Sequence, residues 1–159
     1  MTYNIKLAHK NVKFIYANRD TDLTMASGAV TNGQYDLTGL GGSTGIQATL
    51  SSGDIVLGDR IYHGFFYPSA ACVTLFTMQI FVNGTQITSQ SEIIKQPFST
   101  SQIATSNITR SQPLFFSWVA TAGDILSIRY TKPTIVTGSA RVIYNKTVGT
   151  NLFMMEVEK

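Results

Sequence analysis

The chain has 159 residues, a length that suits one domain able to bury a substantial core. Only 13% of the residues are charged, about half the ~25% of an average protein, whereas 34 are Ser or Thr. The net charge is +3 and the basic residues are scattered along the chain, which disfavours a nucleic-acid-binding surface. This composition is common in β-rich extracellular and virion proteins. It also suits a subunit of a larger assembly, because wide surfaces with few charges can meet without desolvating them.

Two further absences narrow the possible classes. The N-terminal residues contain no apolar stretch of the kind found in a secretory signal, and no run approaches the ~18 apolar residues of a membrane helix. We therefore expect a chain made in a host cytoplasm, with no membrane span. Cys72 is the single cysteine and lies in an apolar run, so we expect a small buried hydrophobe and no internal disulfide.

The N-terminal third has the period of two that is typical of strands. Residues 3–7 alternate, and Val12, Phe14 and Tyr16 alternate with Lys13, with Ile15 as the exception. A Gly-rich stretch follows, in which the pattern predicts short strands over 34–37 and 46–50 and a loop over 38–45. We assign residues 1–50 to the same domain as the rest of the chain, as its strand-and-loop N-terminal part.

The middle of the chain is the most regular. Strands are predicted over 55–57, over 60–67 and in the apolar run 71–82. The dipeptide Asn83-Gly84 then separates two β-prone segments. A type I′ turn needs positive φ at both central positions, so this dipeptide predicts a hairpin.

Residues 89–109 are polar and rich in Ser, Thr and Gln. We interpret them as a long connection with one short strand near Glu92-Ile93-Ile94. Such a segment is either an ordinary surface loop or a binding loop, and its length favours the second interpretation.

The C-terminal third predicts four strands, over 114–119, 125–131, 139–144 and 151–158. In the second of these, Leu126, Ile128 and Tyr130 form an apolar side that should face the core, and Pro133 should end the strand. About ten strands and no helical pattern predict an all-β fold, an antiparallel β-sandwich of jelly-roll type, as one domain over 1–159.

No pattern indicates catalysis or a cofactor. His9 and His63 belong to no catalytic signature, and Cys72 in so apolar a run would stay a thiol. The pair Asp20-x-Asp22 lacks the further oxygen ligands that a calcium site needs. We predict no enzyme activity, no catalytic or metal-binding residues and no cofactor.

Aromatic residues are the enriched feature with possible functional meaning. Two strands carry apolar aromatic side chains at consecutive positions, and therefore on both faces. The second face either lies under a loop of the same chain, packs on a neighbouring subunit, or offers a platform for sugar stacking. The candidate interface residues are Phe65, Phe66, Tyr67, Phe115, Phe116 and Trp118.

The turn-and-strand order resembles that of a known group of proteins. Gly53-Asp54-Ile55-Val56-Leu57, Val82-Asn83-Gly84-Thr85 and Ala122-Gly123-Asp124-Ile125-Leu126-Ser127-Ile128 are similar in style to compact trimeric jelly rolls. These include tumour-necrosis-factor-like and complement-type domains, and the decoration, head-fibre and receptor-binding proteins of tailed phages. The similarity covers about residues 50–158 and implies a homotrimer without a catalytic site.

Together, composition and resemblance favour a structural virion component. It would be a capsid decoration protein or a vertex- or fibre-associated protein, bound to another virion or capsid protein. The alternative is a receptor- or carbohydrate-binding module at a fibre tip, with a glycan as partner. A small hydrolase on a β scaffold is the third hypothesis.

Overall fold

The computed structural model describes residues 11–21, 23–25, 31–72, 76–88, 91–93, 109–110, 113–132, 140–142 and 151–159. Within these ranges there is no helix, and hence none that could cross a membrane. Every strand pairing is antiparallel. The strands are β1 (Val12–Asn18), β2 (Leu23–Met25), β3 (Thr31–Gln34), β4 (Gly39–Gly42), β5 (Thr49–Ser51), β6 (Asp54–Val56), β7 (Ile61–Tyr67), β8 (Ser69–Cys72), β9 (Phe76–Val82), β10 (Thr85–Gln86), β11 (Ser91–Ile93), β12 (Thr109–Arg110), β13 (Leu114–Val119), β14 (Ile125–Lys132), β15 (Ala140–Val142) and β16 (Asn151–Val157).

The strands form three sheets. A five-stranded sheet has the order β13-β7-β16-β1-β4. A seven-stranded sheet has the order β10-β9-β14-β6-β5, with β11 paired to β9 and β3 paired to β14. A smaller sheet has the order β12-β8-β15-β2. Apart from the hairpins β5-β6 and β9-β10, most neighbours in the sheets are distant in sequence, which is the arrangement of a sandwich with long crossovers.

The two larger sheets face each other across one apolar core. The five-stranded sheet contributes Ile15, Tyr62 and Phe66, and the seven-stranded sheet contributes Ile80 and Ile128, all at most 2% exposed. This packing confirms the predicted all-β antiparallel sandwich. The described residues contain more strands than the ten or so predicted. The reason is that several strands have only two to four residues, which is too short to show a period of two in the sequence.

Several local predictions are confirmed. Asn83 and Gly84 have φ of 49° and 77°, and Val82 pairs with Thr85 across the predicted hairpin. Leu126 and Ile128 are buried, with Tyr130 packed against the core beside them. Strand β14 ends at Lys132, immediately before the proline, and β11 and β16 occupy the predicted positions near residue 92 and after residue 150.

Other local predictions are wrong. The predicted loop over 38–45 contains β4, which pairs with β1 through Gly42 and Ile15. Side chains at Gly41 and Gly42 would collide with the Tyr16 ring and with the carbonyl oxygen of Phe14, so glycine here permits close strand approach rather than a turn. The predicted strands 34–37 and 46–50 are displaced to β3 and β5.

In β1, the large apolar residues that alternate in the sequence point to solvent instead of the core. Ile15 and Ala17 are buried, whereas Val12, Phe14 and Tyr16 are exposed. The predicted strand 3–7, and most of the connection 89–109, lie outside the described residues.

Candidate functional site

The outer face of the five-stranded sheet is apolar, and we refer to it as the apolar face. Strand alternation places odd-numbered residues of β7, β13 and β16 and even-numbered residues of β1 on this side. Strand pairing then aligns them in rows across the sheet. Its side chains in three consecutive rows are Tyr16, Phe153, Phe65 and Phe115, then Phe14, Met155, His63 and Ser117, then Val12, Val157, Ile61 and Val119.

The first row consists of four aromatic rings on four adjacent strands. Phe65 stacks on Phe153 with 5.2 Å between ring centroids and 29° between the ring planes. Phe65 also meets Phe115 at 5.9 Å and 52°. Tyr16 pairs with Phe153 in register, and its ring lies over Gly41 of the edge strand. Cross-strand aromatic pairs of this kind stabilise a sheet, but they leave the outer side of the rings in water.

The second and third rows extend the apolar surface. Phe14 is 62% exposed and Val119 is 63% exposed, values more typical of polar side chains. His63 is exposed and lies between Met155 on β16 and Ser117 on β13. No residue in the three rows is Asp, Glu, Lys or Arg.

Polar residues border the apolar face at two ends. Asn18 pairs in register with Asn151 next to the aromatic row. At the opposite end, Lys159 forms an ion pair with Asp59 beyond the third row. The apolar face is therefore a bounded patch with a polar rim, which is the usual anatomy of a protein–protein interface.

The patch is concave. A depression of about 500 Å³ is open to solvent on this side of the sheet. Its walls include Phe14 and Tyr16 on one flank and Phe115 on the other, with His63 and Phe65 between them. Apart from the imidazole and the Tyr16 hydroxyl, these side chains offer no polar atoms, so the depression suits an apolar occupant rather than a hydrogen-bonding ligand.

The structure separates the six residues that the sequence predicted as an interface. Phe65 and Tyr67 are partly exposed on the outer side, and Phe115 is 71% exposed. Phe66 and Phe116 point inward and are 0% and 8% exposed, so in the folded chain they belong to the core. Consecutive strand residues point to opposite faces, and the sequence could not say which of each pair points out. Contact of the outward residues with a partner stays a prediction.

Trp118 has a structural role. It packs against the core, and its indole N–H donates to Asp124 with 2.9 Å between Nε1 and Oδ2. Asn83 donates to the other carboxylate oxygen at 2.9 Å and accepts from the backbone N–H of Ile125 at 2.9 Å. The hydrogen bond from Trp118, and to a smaller extent the one from Asn83, lowers the pKa of Asp124 below its ordinary value. The network ties the 83–84 hairpin to the 121–124 turn, and Trp118 lies on the core side of β13, away from the apolar face.

Sequence reasoning missed most of the apolar face, since only Phe65 and Phe115 of its three rows were among the predicted residues. Phe14, Tyr16, Phe153 and Met155 were not among the predicted residues, although β16 carries apolar side chains on both of its faces. That is the same signal that singled out 65–67 and 114–118. Within the described residues, no group of three or more His, Cys, Asp or Glu side chains could hold a metal ion.

The fold is similar to that of several solved structures. The crystal structure of murine APRIL matches with a TM-score of 0.60 and 13% identity, over 92% of this chain and 100% of that chain. Eiger TNF from S. frugiperda matches with a TM-score of 0.57 and 10% identity, over 94% of each chain. These matches confirm the jelly-roll prediction. No family model and no curated protein matches the sequence.

Proposed function

We propose that the chain is a non-catalytic structural subunit that assembles into a homotrimer by burying its apolar face. In this form it would serve in a virion, as a capsid decoration protein or a vertex- or fibre-associated protein. The observation that carries the proposal is the continuous apolar surface of three rows across four strands, which water solvates poorly.

The size of the patch supports assembly. At about 150–250 Å² for each large side chain, the exposed fractions of the apolar residues on this face amount to roughly 700 Å². The largest apolar patch of a typical monomer is about 300–600 Å². A standard interface buries about 800 Å² on each partner. The apolar face therefore exceeds what a solitary domain usually exposes and approaches what one side of an interface requires.

The shape of the patch favours a cyclic assembly over a twofold dimer. Two concave faces placed against each other would enclose a void over the 500 Å³ depression. The edge of a second copy fills it better, and the edge strand β13, with the exposed Phe115 and Val119, supplies an apolar edge. Head-to-tail contacts form rings when the rotation between copies closes, and resemblance to trimeric jelly rolls favours closure with three copies.

The virion role draws support from composition. A chain with 13% charged residues and 34 Ser or Thr suits a surface that ends up largely in contact with other proteins. Low charge and many hydroxyl side chains are also features in which the chain resembles small jelly-roll proteins of tailed phages. Under this proposal the other partner is a capsid or virion protein.

Assembly is tested by light scattering coupled to gel filtration. The wild-type chain should have three times the monomer mass, and Phe115→Lys should be monomeric because it places an unpaired charge within the buried contact. Ile125→Lys is the matched control, since Ile125 is a hydrophobe 44% exposed on the other sheet, and should remain trimeric. A wild-type monomer at micromolar concentration would overturn the proposal.

The virion role needs a separate experiment. Purified wild-type trimer is added to capsids of the virus that encodes the chain, from which this protein has been deleted, and bound copies are counted by quantitative mass spectrometry. Saturable binding in multiples of three is expected. Absence of binding by a trimer that is intact in solution would contradict the decoration role without affecting the assembly proposal.

The row of four rings keeps glycan binding as a second candidate, because sugars stack on exposed aromatic faces. The experiment is a glycan array probed with the wild type and with Phe65→Ala. Signal that is lost in the variant would favour the receptor-binding alternative. Trp118→Ala is a poor probe, since the indole lies on the core side of β13 and its removal would also break the hydrogen bond to Asp124.

A further inference from the structure

His63 lies inside the apolar face rather than at its rim. It occupies the middle row, with Met155 and Ser117 as its cross-strand neighbours and Phe65 and Ile61 on the same side of its own strand. Its side chain is solvent-exposed in the single chain. It also lines the depression at the centre of the patch. Any partner that covers the depression therefore covers the imidazole.

The surroundings of His63 offer no counter-charge. On the adjacent strands, β13 presents Ser117 and β16 presents Met155, neither of which titrates. On the apolar side of β1, β7, β13 and β16, the remaining titratable side chains are Tyr16 and Tyr67. The Asp59–Lys159 ion pair lies beyond the third row, and its two charges neutralise each other.

We propose that His63 makes the assembly pH-dependent, so that the trimer forms when the imidazole is neutral and dissociates when the imidazole is protonated. This inference rests on the proposed function, because it requires that the apolar face be buried between copies. Histidine is the side chain whose charge ordinarily changes between about pH 5 and 8.

The direction follows from desolvation. In the single chain, water solvates the imidazolium on the exposed face. In the assembly, the same cation would lie among the Phe, Met and Val side chains of the apolar face, whose three rows hold no carboxylate, and this disfavours the charged form. Each copy brings one such group, so the effect is repeated at every contact. Acid therefore favours the separated chains, and neutral or alkaline solution favours the trimer.

The experiment measures the trimer–monomer equilibrium by analytical ultracentrifugation at pH 7.5 and pH 5.5, with circular dichroism to confirm that the chain stays folded at both. For the wild type we expect the concentration at half-assembly to rise at least about tenfold at pH 5.5. His63→Gln and His63→Phe, which stay neutral, should assemble equally well at both pH values. His9→Gln is the matched control, removes the other histidine, and should behave like the wild type.

The outcomes distinguish the two proposals. A wild-type chain that is monomeric at pH 7.5 would overturn both the assembly and the switch. A wild-type trimer that is unaffected by pH, or one whose acid dissociation persists in both His63 variants, would overturn the switch and leave the assembly standing. Two variants guard against the failure of either one to fold.

Discussion

The buried carboxylate of Glu156 accepts a hydrogen bond from the backbone N–H of Gln47, with 2.6 Å between the nitrogen and Oε2, although 109 positions separate the two residues. Tyr62 donates its hydroxyl to the same oxygen at 3.3 Å, and its own oxygen accepts from the N–H of Gly58 at 3.1 Å. Glu156 and Tyr62 are 1% and 0% exposed. The cluster connects two central strands of the five-stranded sheet to the segments that precede β5 and β7.

Removal of this carboxylate should destabilise the fold. Glu156→Ala leaves the Gln47 N–H and the Tyr62 hydroxyl without their acceptor in a buried site, so we expect the free energy of unfolding to fall by about 2–4 kcal/mol. Glu156→Gln keeps one carbonyl oxygen and should lose less. Urea denaturation measures both, with the exposed Glu158→Ala as the control, for which the change should stay within about 0.5 kcal/mol. A loss for Glu156→Ala as small as that of the control would contradict this account.

Stability should decrease in alkaline solution because of Tyr62. Burial, together with the nearby Glu156 carboxylate, raises the pKa of Tyr62 to about 12, whereas a tyrosine in an unfolded chain titrates near pH ~10. The folded state thus holds its proton where the unfolded state releases it. The contribution is complete below about pH 10 and is lost as pH rises towards 12, by up to about 2–3 kcal/mol.

Tyr62→Phe isolates this effect from the other tyrosines. The variant should be less stable than the wild type at pH 8, because the Gly58 N–H loses its acceptor. The difference between the two proteins should then shrink as pH rises from 10 to 12. Urea midpoints at several pH values give the comparison, and parallel curves for the two proteins would show that Tyr62 is not the responsible group.

Phe65 and Phe66 should respond to substitution in different assays. Phe66 is fully buried, so Phe66→Ala should lower the free energy of unfolding by about 3–5 kcal/mol through lost contacts and a cavity. Phe65 lies on the apolar face, so Phe65→Ala should change the folding of the single chain much less. It should instead weaken assembly, which sedimentation measures. Equal destabilisation of the single chain by both variants would refute the assignment of opposite faces.

Much of the fold was predictable because the relevant signals are local. The dipeptide at 83–84 needs positive φ, and Leu126 and Ile128 needed only the alternation of their own strand to be assigned to the core. The failure at Gly39–Gly42 shows the limit. Four residues rich in glycine are a loop by composition, and only their pairing with β1 makes them a strand. The Tyr16 ring and the Phe14 carbonyl leave no room for side chains at Gly41 and Gly42, which is why glycine is present there.

The candidate site was predictable in kind and not in membership. Apolar side chains on both faces of a strand indicated a second buried surface, and this reasoning found Phe65 and Phe115. It also included Phe66 and Phe116, which are core residues, because two adjacent aromatics look alike until a second sheet covers one of them.

By itself, the sequence determined that this chain forms antiparallel strands, where its clearest hairpin turns, and that its surface would be poor in charge and rich in hydroxyls. These are properties of single residues and of their near neighbours. Tertiary structure alone decided that Tyr16, Phe153, Phe65 and Phe115 lie side by side and that His63 lies among apolar neighbours. That alignment depends on pairing between strands that are up to about 140 residues apart, and no local period encodes which strands become neighbours.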